Sequence, residues 1–179
     1  MTNLKENKIS STIIYQGRLL DVRCDKVILP NGKTSTREWI KHPGAVCMIP
    51  RLPDNKIALI RQYRYPVNKE MIELPAGKLE DNENPVTCAK RELEEEIGYK
   101  SEKLTFLTNL HPAIGFSDEI MGLYLAEDLV QTTSNKDEDE FLELIPTSLN
   151  KAVEMVWKGK ITDVKTIIGI LWAERLLTN

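Results

Sequence analysis

Several kinds of protein are excluded by what this chain lacks. No stretch approaches the apolar run needed to cross a bilayer, so a helical membrane anchor is not expected. Met1 to Ser10 is polar, without an apolar core or small-residue cleavage site, so a secretory signal is not expected and the product should stay in the cytoplasm. Basic charge is also in short supply. The net charge is −3, and binding a nucleic-acid backbone depends on basic patches, so nucleic acid is not expected as a partner. A small anion remains open wherever basic residues cluster. The three cysteines, Cys24, Cys47 and Cys88, show no CxxC spacing and cannot all pair. Reduced, buried thiols are expected rather than disulfides or a zinc site. His42 and His111 are isolated, each precedes a proline, and both read as structural.

What is present suits one compact core. The chain has 179 residues, 41% hydrophobic and 28% charged, which are ordinary globular values, and no internal repeat. Ser11 to Gln16 and Leu19 to Leu29 are rich in Ile, Val and Leu, and the turn signal Pro30-Asn31-Gly32-Lys33 leads into Thr34 to Ile40. Residues 1–42 therefore read as a small antiparallel sheet ahead of a main domain, 43–179. In that domain Ala45 to Ile49 and Lys56 to Tyr63 read as strands around the turn-prone Leu52-Pro53-Asp54-Asn55, as do Leu104 to Leu110, Ile120 to Ala126 and Phe141 to Ile145. Ser148 to Lys158 and Val164 to Leu177 carry apolar residues at helical spacing. This order predicts an α+β fold with a mixed sheet between helices.

The most informative window runs from Gly77 to Tyr99. Leu74-Pro75-Ala76-Gly77 reads as a strand end entering a turn, Asn84-Pro85 as a helix start and Gly98 as its stop. A run such as Arg91-Glu92-Leu93-Glu94-Glu95-Glu96 is commonly just a solvated face. Here Glu92, Glu95 and Glu96 share one face at a spacing where like charges repel, so something positive is expected among them. Hard cations such as Mg²⁺ take oxygen ligands, one or two carboxylates with waters and phosphates completing the shell. Glu83 and Arg91 lie too far apart for one helical turn, but a loop folded back onto the helix would pair them as scaffold.

Gly77, Glu83, Arg91, Glu92, Leu93, Glu95, Glu96, Gly98 and Tyr99 resemble, without a miss, the signature of the Nudix hydrolases. That resemblance implies an α/β/α sandwich and cleavage of diphosphates linked to another moiety, usually a nucleoside. It implies metal held by Glu92, Glu95, Glu96 and the carbonyl of Ala76, with Mg²⁺ as the ion and Mn²⁺ as its substitute.

The extra N-terminal sheet, Arg-Gln-Tyr-Arg-Tyr at 61–65, and Glu73 to Glu80 resemble more narrowly the ADP-ribose pyrophosphatases. This likeness implies a homodimer with exchanged N-terminal sheets and a nucleoside diphosphate sugar as substrate. It implies that Arg37 and Glu38 reach the adenosine end, in their own or the neighbouring subunit's site, that Arg64 contacts the diphosphate, and that Glu119, in the loop from Pro112, contacts the terminal ribose side. A guanidinium matches phosphate oxygens bidentately, although Arg37 and Arg64 also read as plain surface cations. Trp39 reads as an adenine stack or as a core or dimer contact. Asp137 to Glu140 reads either as a solvated loop or, with the polar stretch before it, as a lid. Counted back from the C-terminal helices, Glu138 falls where the family carries its catalytic glutamate and Glu140 where it carries another metal ligand, with Asp137 and Asp139 as neighbouring alternatives.

Diphosphate repels an incoming water, and a bound divalent ion would offset that charge and lower the water's pKa. Glu138 would take the proton, help worth roughly 10² to 10⁴ in rate. ADP-ribose would give AMP and ribose 5-phosphate. Two other readings stand beside this one: a Nudix hydrolase of a dinucleotide, another sugar nucleotide or an oxidised nucleotide, and a non-catalytic ligand sensor. A sensor would be expected to lose box glutamates, and here all are present.

Overall fold

The computed structural model describes residues 3–132 and 141–178, which fall into two compact units. The first joins residues 1–43 to 111–120. Its strands β1 (Asn7–Gln16), β2 (Asp21–Ile28) and β3 (Thr34–Lys41) form an antiparallel meander in that order. The β2–β3 turn closes through Gly32 N–H to the Leu29 carbonyl at 2.9 Å, with Gly32 at φ 80°, a conformation that costs an L side chain dearly. Ile40 of β3 donates to the Phe116 carbonyl at 2.8 Å and His42 N–H to Asp118 Oδ1 at 2.7 Å, which ties the 111–120 loop to this sheet. Every residue of β1 is exposed.

The second unit holds two sheets where the sequence suggested one. The mixed sheet runs β7 (Ala76–Lys78), β4 (Ala45–Pro50), β9 (Met121–Gln131), β8 (Tyr99–Leu110), with β4 and β9 parallel. Beside it stands an antiparallel sheet of β10 (Leu142–Ser148), β5 (Lys56–Arg64) and β6 (Lys69–Glu73). The expected strand end at Leu74 to Gly77 is instead the crossing between the sheets. β6 stops at Glu73, Pro75 cannot donate to a ladder, and β7 begins at Ala76.

Alternation along β4 explains why all six of its residues are buried. Ala45, Cys47 and Ile49 enter a cluster with Leu59, Leu74, Leu123, Ala152 and Ile170, while Val46 and Met48 enter a second with Ala58, Cys88, Leu93 and Tyr124. Helix α1 (Pro85–Ile97) supplies the second cluster, and α2 (Leu149–Trp157) with α3 (Val164–Leu177) the first. The mixed sheet is thus covered on both faces, as its parallel pair requires. Helix α1 starts where the Asn84 side chain accepts from Val86 N–H at 2.9 Å and ends at Gly98, φ 71°. The three cysteines are free: Cys47 and Cys88 are buried as expected, Cys24 only partly. Burial pushes the Cys47 and Cys88 thiols up to about 12, so both are inert packing groups.

Candidate active site

The box folds as loop, helix, loop, and its pieces meet at Arg91. Its Nε and Nη2 donate to the two oxygens of Glu83, each at 3.0 Å, so the eight-residue separation closes into a fork. Its Nη1 reaches Glu92 Oε1 at 2.7 Å and Glu95 Oε2 at 2.9 Å. Arg91 therefore both pins the loop and partly offsets the repulsion on the helix face. The guanidinium beside Glu83 holds that carboxyl down at about 2, and Glu80 N–H adds a 3.1 Å bond. Glu96, 4% exposed, accepts from Ala76 N–H at 3.0 Å and so ties the helix to the start of β7.

Gly77 faces the same group from the other side. A Cβ there would lie 1.8 Å from Glu92 Oε1, so the Glu92 carboxylate occupies the space that any larger residue needs. This cradle and the donor set, all hard oxygens with one guanidinium against four carboxylates, fit a divalent oxygen-seeking ion. Among the described residues no three acidic, His or Cys groups are gathered into a ready cage: Glu92 and Glu95 are drawn to Arg91, Glu96 to Ala76.

Other expected site residues are placed as follows. Arg64 closes β5 and forks onto Glu73, Nε to Oε1 at 2.7 Å and Nη2 to Oε2 at 2.8 Å, with 44% of its side chain exposed. Arg37, in the first unit, pairs with Glu6 at 2.6 Å; Glu38 is exposed, and Glu119 N–H donates to Ser117 Oγ at 3.2 Å. Trp39 is half-buried in the same unit. Glu138 and Glu140 lie outside the described residues.

One cluster was not foreseen. Glu73 is buried beneath Arg64, and Lys165, also buried, donates to its Oε2 at 2.5 Å and to Asp163 Oδ2 at 2.9 Å. Burial works to raise the Glu73 carboxyl, but Arg64 and Lys165 outweigh it and hold it below its ordinary value. Burial likewise works to lower Lys165, and Glu73 and Asp163 outweigh it, raising the ammonium. Both stay charged. A signal that could have found part of it is Asp163, whose side chain caps the apolar helix α3.

The NUDIX domain matches residues 41–165, and the nucleoside diphosphate sugar hydrolase N-terminal domain matches residues 6–40. A methanol dehydrogenase activator of Bacillus methanolicus is 42% identical over 172 residues, covering 95% of this chain and 93% of the relative. An ADP-ribose pyrophosphatase of Bacillus subtilis (strain 168) is 40% identical over 176 residues, covering 97% and 95%. A crystal structure of an ADP compounds hydrolase superposes with a TM-score of 0.88 at 22% identity, over 99% of this chain and 97% of its own, a likeness of fold. The chain belongs to the Nudix family. Within that class it is a hydrolase whose Nudix domain carries the nucleoside diphosphate sugar hydrolase N-terminal domain.

Proposed function

We propose that the chain hydrolyses the diphosphate bond of ADP-ribose, or of a closely related nucleoside diphosphate sugar, to AMP and ribose 5-phosphate in the presence of Mg²⁺. The observation that carries this reading is the pairing of an unbroken glutamate box with an N-terminal segment matching nucleoside diphosphate sugar hydrolases. The similar ADP-ribose pyrophosphatase supports the substrate class. A magnesium ion held by Glu92, Glu95, Glu96, Glu140 and the Ala76 carbonyl would supply charge neutralisation and a more acidic water. Arg64 binds the diphosphate through Nη1, the guanidinium nitrogen outside its fork with Glu73. Arg37 and Glu38 hold the adenosine end and Glu119 the terminal ribose. Glu138 takes the proton from the attacking water.

The assembly we propose is a homodimer through the N-terminal sheet. Ile9, Ile13, Ile14 and Tyr15 of β1 are all about half exposed or more, an apolar strand that a second copy would cover. Light scattering reads the mass directly. Partly exposed and buried free thiols suit a reducing compartment, in keeping with a cytoplasmic location.

The test is product release from a panel of ADP-ribose, other sugar nucleotides, dinucleotides and oxidised nucleotides with Mg²⁺. ADP-ribose giving AMP and ribose 5-phosphate at the highest kcat/KM is expected; faster turnover of another member reassigns the substrate. Tight binding without turnover of any member makes the protein a sensor. A second reading rests on the identity to a methanol dehydrogenase activator: the chain raises the rate of an alcohol dehydrogenase. Dehydrogenase turnover with and without the protein distinguishes it.

A further inference from the structure

The cluster around Glu73 joins an exposed arginine to a buried lysine through one carboxylate. Asp163, the cap of α3, accepts from Thr166 N–H at 3.0 Å and from Lys165 Nζ at 2.9 Å through the same oxygen, so the helix start fixes the ammonium. The ammonium donates to Glu73 Oε2, and Glu73 carries the Arg64 fork on both of its oxygens. The backbone beside Glu73 is held as firmly. Leu74 N–H donates to Thr166 Oγ1 at 2.7 Å, and α3 comes so close that a Cβ on Gly169 would meet Leu74 Cδ1 at 2.3 Å. Glu73 thus has no freedom to turn, while Arg64, alone of the group, is exposed.

We infer that Lys165 is a positioning residue: acting through Glu73, it aims the Arg64 guanidinium at the substrate diphosphate. The inference rests on the proposed diphosphate role of Arg64. An arginine on a flexible side chain would otherwise sample many rotamers, and a buried, doubly held carboxylate removes that freedom before substrate arrives. A displacement of the guanidinium by an ångström is enough to cost on the order of a hundredfold in rate. Lys165 touches neither substrate nor reacting atoms, so its effect must pass through Arg64.

The experiment is a double-mutant cycle on kcat/KM for ADP-ribose with Arg64→Ala and Lys165→Met, in full-length protein whose folding is followed by melting. Because Lys165→Met leaves the buried cluster with one negative charge in excess, Glu73→Gln/Lys165→Met is made alongside; it removes one charge of each sign and keeps the shape. In the Arg64→Ala background Lys165→Met should add less than about a twofold loss, whereas alone it should cost at least about tenfold, chiefly in KM. The neutral double variant, folded, should show the same loss as Lys165→Met. Full additivity of the two losses would overturn the inference and leave the role of Arg64 standing, as would wild-type kinetics in the neutral double variant. If Arg64→Ala alone leaves kcat/KM unchanged, the diphosphate role fails and the positioning role with it.

Discussion

Two clusters of opposite charges sit in the Nudix unit, and their balance differs. Around Arg91 one guanidinium faces Glu83, Glu92 and Glu95, with Glu96 on the neighbouring backbone N–H. Around Glu73, two carboxylates, Glu73 and Asp163, face two cations, Arg64 and Lys165. The second cluster is neutral in sum and three of its members are largely buried, as ion pairs removed from water must be. The first, counted over the described residues, keeps an excess of negative charge on a partly exposed helix face. An excess of that kind is what a divalent cation would offset, whereas the balanced cluster suits a rigid seat for Arg64.

The sharpest way to break this contrast is to remove charge from the unbalanced cluster. Glu92→Gln should lower ADP-ribose turnover by more than about 10³-fold while the melting temperature holds, because the metal's electrophilic and nucleophilic help goes together. Glu138→Gln should cost less, toward the lower end of the roughly 10² to 10⁴ that a general base contributes. A Glu92→Gln enzyme that keeps native turnover would make the excess charge a solvated face. Gly77→Ala probes the same carboxylate without altering charge. Glu92 must leave its place to admit the methyl, and kcat should fall by about 10²-fold, the scale of a misplaced catalytic group; unchanged kcat would show that the position of Glu92 is unimportant.

The balanced cluster should respond in stability. Lys165→Met should destabilise by about 3–5 kcal/mol in denaturant unfolding, and Glu73→Gln/Lys165→Met by much less, because only the single change leaves the buried cluster with an uncompensated negative charge. Equal losses would mean that packing, not charge, holds the site. The smallest effect concerns acid. Glu83 titrates at about 2 in the folded chain against an ordinary 4.5, so its contribution is complete above 4.5 and is lost as the pH falls toward 2. Glu83→Gln should flatten the fall in unfolding midpoint across that window, and parallel curves would acquit Glu83.

Why one cluster was legible and the other was not follows from distance along the chain. Glu83, Arg91 and the three helix glutamates lie within one loop and helix, so a loop folded back onto the helix was enough to suggest the Glu83–Arg91 pair. Glu73 and Lys165 are 92 residues apart, and nothing local to either announces a partner. Arg64 was read for its reach toward phosphate; the β5–β6 register sets it opposite Lys69 and sets Glu73 opposite Ile60, so even the pairing of the two strands does not announce its fork onto Glu73. Strands β4 and β5 were legible because they are apolar, and α1 because of Asn84, Pro85 and Gly98. Short β6 and β7, separated by Leu74-Pro75, carry too few residues for a period, so the second sheet went unread. The polar start of β8, Tyr99 to Lys103, hid five residues of that strand.

At the crossing between the sheets, Glu96 grips a main-chain N–H of residue 76. In a saturation library, substitutions at 76 should therefore be judged chiefly on size, with proline singled out for rejection because it brings no hydrogen to that grip. At the adjoining glycine every replacement collides with a carboxylate. Neighbouring codons would thus show unlike tolerance for unlike reasons, one set by a missing proton and the other by a missing void.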